Sequence, residues 1–166
     1  MSAVLLSLRR YLLENGATFR EVAHPPTRTS EESAAARGEP LSVGGKALLL
    51  KVDDAFALFV LPADCKLDSA AVRAELAAKK TRFASPDELA AQSGGLVPGS
   101  VPPFGAPILP LPLYVDEKVF EADRVAFNAG SLTDSIVLAI DDYRRLANPA
   151  KVFSFGLRAK EAEGER

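Results

Sequence analysis

Residues 94–105 constrain the fold of this chain more than any other segment, because they contain four glycines and three prolines. Glycine permits a positive φ and a close approach of the backbone, whereas proline fixes φ and lacks an N–H donor. The mixture of the two predicts a stiff, sharply bent loop whose remaining N–H groups can face a ligand. A structural connection between two strands would use the same residues, so the segment alone leaves both interpretations open.

The size and composition predict one globular domain. The chain has 166 residues, of which 48% are hydrophobic and 25% are charged, and this length buries a sizeable core without disulfides or metals. We expect residues 1–157 to form the domain and the charged residues 158–166 to form a flexible C-terminal tail. The single cysteine, Cys65, is typical of a reducing compartment, and no apolar run is long enough to span a membrane. We therefore expect a cytoplasmic protein without membrane contact.

The net charge limits the possible partners. At −2, it argues against a tight, sequence-specific DNA-binding protein and permits a local contact with the end of a folded RNA. Five basic residues are candidate RNA contacts, although each also fits a solvated surface position. These residues are Arg28, Arg37, Lys79, Lys80 and Arg82.

Short helices and strands alternate along the chain. Leucines recur at helical spacing between Leu5 and Leu13, and further helices are predicted after the N-caps Thr29, Asp68 and Ser85 and from Asp141. Glu32 and Glu88 would complete capping boxes with Thr29 and Ser85, and Gly38 would end the helix that follows Thr29. The predicted strands are residues 18–23, 46–52, 55–61, 82–83, 108–115, 124–128 and 135–140, with a hairpin at Asp53-Asp54 between the second and the third. Six or seven short strands with scattered helices predict a mixed α/β (α+β) single domain.

The chain lacks the residues of the common hydrolase and metal sites. It has one histidine, His24, and one cysteine, so a His/Cys metal cluster is not possible and a catalytic triad would require His24. His24 precedes two prolines, and we interpret it as a structural residue at a strand end. The glycines match neither the phosphate-binding loop nor the dinucleotide-binding pattern. We therefore expect no metal and no cofactor.

Lys46 is the candidate functional residue that remains. It follows Gly44-Gly45 and opens an apolar run, and strand alternation places it on the same face as Leu48 and Leu50. A lysine in this position either extends its ammonium group to the rim or serves a cleft. In a cleft, its three donors would suit carbonyl or phosphate oxygens.

Several stretches of the chain occur together in a recognisable order. They are His24-Pro25 with residues 29–32, residues 45–48, residues 99–105, Ala129-Gly130 and residues 135–138. In this order and spacing, over roughly residues 17–147, they resemble the YbaK/ProX family. Its members are trans-editing aminoacyl-tRNA deacylases related to the insertion domain of bacterial prolyl-tRNA synthetases.

The resemblance implies a fold and a site. The implied fold is a compact mixed α/β domain around a central, barrel-like sheet. The implied catalytic residues are Lys46, at the position that the family needs for ester hydrolysis, and Gly99, which opens the family's G-x-x-x-P loop at residues 99–103. The implied substrate-binding residues are Ser100, Val101, Pro102, Pro103, Phe104, Gly130 and Ser135.

The first half of this loop should supply its hydrogen-bond donors. Pro102 and Pro103 have no N–H group, so the N–H groups of Gly99, Ser100 and Val101 are the expected contacts to the substrate. An activated ester needs a positioned water and a stabilised oxyanion more than a strong nucleophile. This requirement agrees with a site that has no catalytic triad.

The implied activity is hydrolysis of the ester that links a wrong amino acid to tRNA, with alanine, cysteine, serine or threonine on tRNA(Pro) as implied substrates. The implied partners are the acceptor end of the tRNA and an aminoacyl-tRNA synthetase. Two departures bear on specificity: Pro102 stands where the family often has Ser or Thr, and Ser135 where YbaK-like members tend to carry Asp. Two other functions stay open, a non-catalytic tRNA- or nucleotide-binding module and a synthetase-associated interaction protein.

Overall fold

The hairpin predicted around Asp53-Asp54 lies within the largest sheet of the molecule. The structure, a computed structural model, describes residues 2–158, which contain five α-helices and ten strands in three sheets. The helices are α1 (Ala3–Glu14), α2 (Ser30–Arg37), α3 (Ser69–Leu76), α4 (Pro86–Ser93) and α5 (Ile140–Ala147). The strands are β1 (Phe19–Ala23), β2 (Gly45–Val52), β3 (Ala55–Pro62), β4 (Cys65–Leu67), β5 (Thr81–Phe83), β6 (Leu113–Asp116), β7 (Arg124–Asn128), β8 (Asp134–Ala139), β9 (Lys151–Phe153) and β10 (Gly156–Arg158).

The largest sheet has five strands in the order β5-β2-β3-β6-β9. β2 and β3 are antiparallel, and Lys46 of β2 lies opposite Leu61 of β3. β5 pairs with residues 50–52 at the far end of β2, whereas β6 and β9 add in parallel on the other side. Within the described residues, no strand pairs with residues 46–48 on the β5 side, so the edge of β2 next to Lys46 is open.

The barrel-like central sheet expected from the resemblance is wrong. A second, antiparallel sheet has the order β1-β8-β7, β10 pairs with β4 alone, and none of the sheets in residues 2–158 closes on itself. A single bridge from Gly44 to Ala126 joins the edges of the two larger sheets. A Cβ atom on Gly45 would lie 2.7 Å from Val125 Cγ2, so glycine is needed where the sheets approach.

The mixed α/β class is confirmed, but the number of strands is higher than predicted. β4, β9 and β10 are only three residues long, too short for alternation of apolar and polar residues to appear. The predicted strand at residues 108–115 is also shorter in the structure, where only Leu113–Asp116 is extended. The prolines before it break the pairing.

The main core forms where α1 and α5 pack against the three-stranded sheet. Leu5, Leu8 and Leu12 of α1, at the predicted helical spacing, are each at most 1% exposed. Phe104 packs edge-to-face on Tyr143 of α5, with ring centroids 5.4 Å apart. The Tyr143 hydroxyl donates to the Pro103 carbonyl at 2.8 Å, and the second half of the Gly/Pro loop is therefore anchored in the core.

Helix α2 begins and ends as the sequence predicts. The Thr29 side chain accepts a hydrogen bond from the Glu32 N–H at 3.1 Å, and the helix ends at Gly38 with a φ of 69°. The capping box expected there is not formed, because the Glu32 carboxylate accepts from the Arg28 N–H. At α4 the predicted box between Ser85 and Glu88 is complete.

The described residues end close to the predicted domain boundary. Arg158, the first residue of the predicted tail, is the last residue of β10, and residues 159–166 lie outside the described part of the chain. In residues 2–158, none of the helices combines the length and the apolar character that crossing a membrane requires.

Candidate active site

A cavity of about 190 Å³ opens between α2, the start of β2 and the Gly/Pro loop. Three residues of the predicted site, Lys46, Gly99 and Val101, line it together. The full lining consists of Thr27, Arg28, Thr29, Ser30, Ser33, Arg37, Gly45, Lys46, Ala47, Leu48, Ala63, Gly99, Val101 and Asn128. The fold thus brings residues from five separate segments of the sequence to one small concave site.

Lys46 is half-buried in this cavity and is fixed by one hydrogen bond. Its ammonium group donates to the backbone carbonyl of Cys65. An ammonium group has three donors, so two remain for a substrate. Burial lowers the pKa of Lys46, against the opposing effects of Cys65, Asp64 and Glu31. Lys46 therefore lies in a cleft rather than extending fully to the solvent.

The loop wall of the cavity is a tight turn. The Ser100 N–H and hydroxyl both donate to the Val97 carbonyl, at 3.1 and 2.7 Å, and Gly99 has a φ of 86°. Proline second and a positive-φ glycine third is the composition that a type II turn requires. The Ser100 N–H is used within the turn, so it is not free to donate to a substrate as expected. The N–H groups of Gly99 and Val101 are the remaining candidates. Within residues 2–158, the N–H groups of Gly99 and Val101 have no hydrogen-bond acceptor.

Side chains behind the turn hold it in place. Asn128 of β7 donates from Nδ2 to the Gly99 carbonyl at 2.8 Å, and the Gly130 N–H donates to the Ser100 carbonyl at 2.8 Å. A Cβ atom on Gly130 would lie about 3.1 Å from α1 atoms, including the Leu5 nitrogen. Gly130 therefore packs between the turn and α1 and supports the loop from outside the cavity.

The second half of the predicted loop is buried but does not line the cavity. Pro102, Pro103 and Phe104 are buried, and Phe104 belongs to the core described above. None of the three lines the cavity, nor do Ser100, Gly130 and Ser135. The structure brings Lys46, Gly99 and Val101 together in the lining of the cavity and places the other predicted residues outside that lining.

Ser135 of β8 is fully buried and connects both sides of the site. Its Oγ lies 2.8 Å from His24 Nε2 and 3.2 Å from Asn128 Oδ1, and it accepts from Arg37 Nη1 at 3.3 Å. Through Asn128, this network reaches the carbonyl of Gly99. His24, interpreted from the sequence as a structural residue, takes part in the network from the end of β1.

The α2 wall was missed by the sequence analysis. Thr27, Ser33 and Arg37 line the cavity and are at most 6% exposed, and the hydroxyls of Thr27 and Ser33 lie 2.7 Å apart. The sequence predicted Arg37 as a candidate RNA contact that also fits a solvated surface position, and the surface position is wrong because the residue is buried. Ser33 and Arg37 are four residues apart and so share one helix face. This spacing is the signal in the sequence, but in a short polar helix it does not show which face is buried.

The cavity is electropositive. Arg28, Arg37 and Lys46 line it and no carboxylate does. Burial lowers the pKa of Arg37, although Glu39 opposes this shift, and a guanidinium remains charged in proteins. A site with cations and backbone N–H donors, and no acid among its lining residues, suits electron-rich oxygens such as an ester carbonyl or a phosphate.

A second cavity, of about 170 Å³, adjoins the first. Ala47, Leu48, Gly99 and Val101 line both, so the two cavities share a wall. Most of the remaining lining is apolar, and it includes Phe83 at the end of β5, whose side chain is 59% exposed. An aromatic ring this exposed, beside a cationic cleft, is able to stack on a planar group.

A model of the aminoacyl-tRNA editing domain matches residues 24–146, and the chain belongs to this family. Its enzymatic class is therefore that of an aminoacyl-tRNA deacylase.

Two curated relatives agree with this assignment, and one solved structure shares the fold. The multifunctional Ser/Thr-tRNA deacylase ProXp-y of Escherichia coli K12 is 36% identical over 146 residues, which cover 85% of this chain and 86% of the relative. A proline–tRNA ligase of Shouchella clausii is 36% identical over 118 residues, covering 71% of this chain and 19% of the ligase. A crystal structure described as a candidate trans-editing enzyme for prolyl-tRNA synthetase has a TM-score of 0.79 at 24% identity, covers 93% of this chain and 98% of that chain, and supports the fold.

Proposed function

We propose that this protein removes a small, wrong amino acid from the acceptor end of tRNA in the cytoplasm, with seryl and threonyl esters as its main substrates. The name of the Escherichia coli relative supports serine and threonine. The similarity to part of a proline–tRNA ligase supports tRNA(Pro) as one of the carriers and a synthetase as a functional partner.

The observation that best supports the proposal is the meeting of Lys46 with the Gly99–Val101 turn in one cavity. In the proposed reaction, an ester carbonyl bound in this cavity would accept from the two N–H groups that Lys46 does not use for Cys65 and from the N–H groups of Gly99 and Val101, which have no acceptor within residues 2–158. Donors held by the fold before the substrate arrives stabilise a developing oxyanion without reorganisation. A site of this kind catalyses ester hydrolysis with no nucleophilic side chain.

The reaction proceeds by attack of water on the ester carbon. Lys46 and the turn hold the carbonyl oxygen as it gains negative charge, and a new bond forms from the water oxygen to the carbon. The bond to the ribose oxygen then breaks, and this oxygen becomes a hydroxyl by taking up the proton that the attacking water releases. The free hydroxyl of the terminal ribose orients the attacking water, and the products are the amino acid and the uncharged tRNA.

The two adjoining cavities suit the two parts of an aminoacylated nucleoside. At about 190 Å³, the cavity at Lys46 is smaller than the ~300–1,000 Å³ of pockets that enclose a drug-sized ligand, so it fits an aminoacyl group rather than a nucleoside. An amino acid seated there would direct its ribose and base across the shared wall toward Phe83. The Phe83 ring would then stack on the terminal base.

A deacylation panel tests this proposal. Purified protein is incubated with seryl-, threonyl-, alanyl-, cysteinyl- and prolyl-tRNA, and ester loss is measured above the uncatalysed rate. We expect hydrolysis of the small non-cognate esters, and a ~100- to 1,000-fold lower rate in Lys46→Ala, the loss typical of a missing oxyanion donor.

Lys51→Ala is the matched control. Lys51 lies on the same strand but on the opposite face, with its Nζ 5.8 Å from the Phe56 ring centroid, and its loss should leave the rate unchanged. Circular dichroism and thermal unfolding confirm that both variants fold. Tight tRNA binding without ester loss on any substrate, or full activity in Lys46→Ala, would contradict the proposal.

A further inference from the structure

Arg37 lines the cavity and has a side-chain donor without a hydrogen-bond partner. Its Nε is the one buried side-chain nitrogen or oxygen in residues 2–158 that lacks a hydrogen-bond partner. The residue is only 6% exposed and lines the cavity beside Lys46. A buried, unpaired donor on a charged group is costly to the free protein, and this cost is recovered when a bound molecule supplies the acceptor.

The protein itself gives Arg37 no counter-ion. The nearby carboxylate of Glu39 is already held by Arg20 at 2.7 Å and by Arg124 at 2.9 Å. The Nη1 of Arg37 donates to the uncharged hydroxyl of Ser135. Within the described residues, the guanidinium therefore makes no ion pair, and the cavity that Arg37 lines has no carboxylate among its lining residues.

Two hydroxyl groups, each able to donate and to accept a hydrogen bond, line the cavity together with Arg37. Ser33, one helical turn before Arg37, and Thr27 line the same wall, with their hydroxyls 2.7 Å apart. A hydroxyl group on a ligand is able to accept from Arg37 and donate to one of these two oxygens. An apolar ligand atom in the same place would leave Arg37 without an acceptor.

We infer that Arg37 is a specificity-determining residue that favours aminoacyl groups with a side-chain hydroxyl over those without one, a conclusion that rests on the proposed function. The carbonyl oxygen of the ester is assigned to Lys46 and the turn, and the α-ammonium group of the substrate is repelled by a cation. The side-chain hydroxyl of serine or threonine is the remaining acceptor of a small aminoacyl group. Arg37, Ser33 and Thr27 form its binding site, and alanine cannot replace its hydrogen bonds.

Kinetics on a matched pair of substrates test this inference. Seryl- and alanyl-tRNA differ by one oxygen, and a site built to bind a hydroxyl discriminates strongly against the analogue that lacks it. We expect the wild type to favour the seryl ester in kcat/KM by at least ~10-fold. In Arg37→Met, which keeps length and removes the donors, kcat/KM for the seryl ester should fall ~10- to 100-fold while that for the alanyl ester changes less than ~3-fold.

Two further variants complete the experiment. Arg73→Met removes an arginine of α3 whose Nη1 donates to Thr81 and which lines neither cavity, and it should leave both rates unchanged. Arg37→Lys keeps the positive charge and serves if Arg37→Met does not fold; it should also lose seryl activity selectively, because an ammonium group cannot reproduce the guanidinium geometry.

The outcomes separate this inference from the proposed function. Equal losses on seryl and alanyl esters would place Arg37 on the ester itself and would overturn the inference alone. Equal wild-type rates on the two esters would also overturn it, while deacylation stands. A wild type that hydrolyses none of the esters would overturn both.

Discussion

The two walls of the cavity bind by different means. The loop wall offers the N–H groups of Gly99 and Val101, which carry no formal charge and are fixed by a turn. The α2 wall offers the side chains of Ser33 and Arg37, one of which is charged and incompletely paired. Every amino acid ester has the same carbonyl, whereas the side chains differ. In our proposals, the loop wall and Lys46 therefore carry out the chemistry, and α2 selects the amino acid.

The sharpest test of this contrast is Gly99→Ala. Gly99 has a φ of 86°, so a Cβ atom strains the turn at a cost of about 1 kcal/mol or more and shifts its N–H groups. Misplacement by about 1 Å costs up to ~100-fold in rate, and seryl and alanyl esters should lose equally. Gly94→Ala, at a φ of 74° and outside both active-site cavities, is the control for strain alone. Selective loss of one ester would erase the distinction between the walls.

Asn128→Ala should show the same pattern with a smaller effect. The variant removes the 2.8 Å hydrogen bond to the Gly99 carbonyl, so the turn loses one of its restraints. We expect kcat to fall ~10-fold for every ester, in line with one lost hydrogen bond. Asn15→Ala serves as the control, because it removes a hydrogen bond from a side-chain amide to the Tyr11 carbonyl at the end of α1. A change in the preference for serine, measured as a ratio of kcat/KM values, would contradict this role.

Phe83→Ala tests the part of the site that neither wall includes. Loss of a stacked base should raise KM by about 5-fold, the lower end for aromatic stacking at an open rim, while kcat changes less. Leu13→Ala removes an exposed apolar side chain of α1 and should have no effect. An unchanged KM in Phe83→Ala, measured under steady-state conditions, would remove Phe83 from the binding site of the terminal nucleoside.

The smallest expected effect is a pH dependence. In the proposed mechanism, the protonated form of Lys46 is the active one, and burial lowers its pKa below the ordinary lysine value of 10.5. The catalysed rate should therefore fall as the pH rises through this lowered pKa, earlier than an exposed lysine would allow. The residual rate of Lys46→Ala should show no such fall after subtraction of uncatalysed hydrolysis. A wild-type rate that keeps rising with pH would show that the charge of Lys46 is not required.

Local sequence signals predicted the starts of three helices and the turn of the loop wall. Caps at Thr29, Asp68 and Ser85 are each confirmed by a hydrogen bond to the helix N-terminus, because capping depends on residues only three positions apart. The glycine and proline pattern located the turn at Gly99 for the same reason. The open arrangement of the sheets was not predicted, since it depends on how β2 meets β7 across about 80 residues.

The α2 wall could not be predicted in the same way. Arg37 looks like a surface charge because α2 is short and polar, and only the packing of its inner face shows that the residue is buried. Likewise, the contact from His24 to Ser135 spans 111 positions, and its partner is set by the register of β1 on β8. Contacts of this kind depend on tertiary structure, which no local pattern encodes.

Cys65 offers a practical route to spectroscopy. Its thiol is 1% exposed, and burial raises its pKa to about 11, so at neutral pH it stays protonated and shielded from alkylating reagents. A cysteine introduced on the surface should therefore take a maleimide fluorophore selectively, with the native thiol left in place. Its neighbour in space, the lysine that contacts its carbonyl, would keep its anchor while a dye at the rim reports the arrival of the RNA.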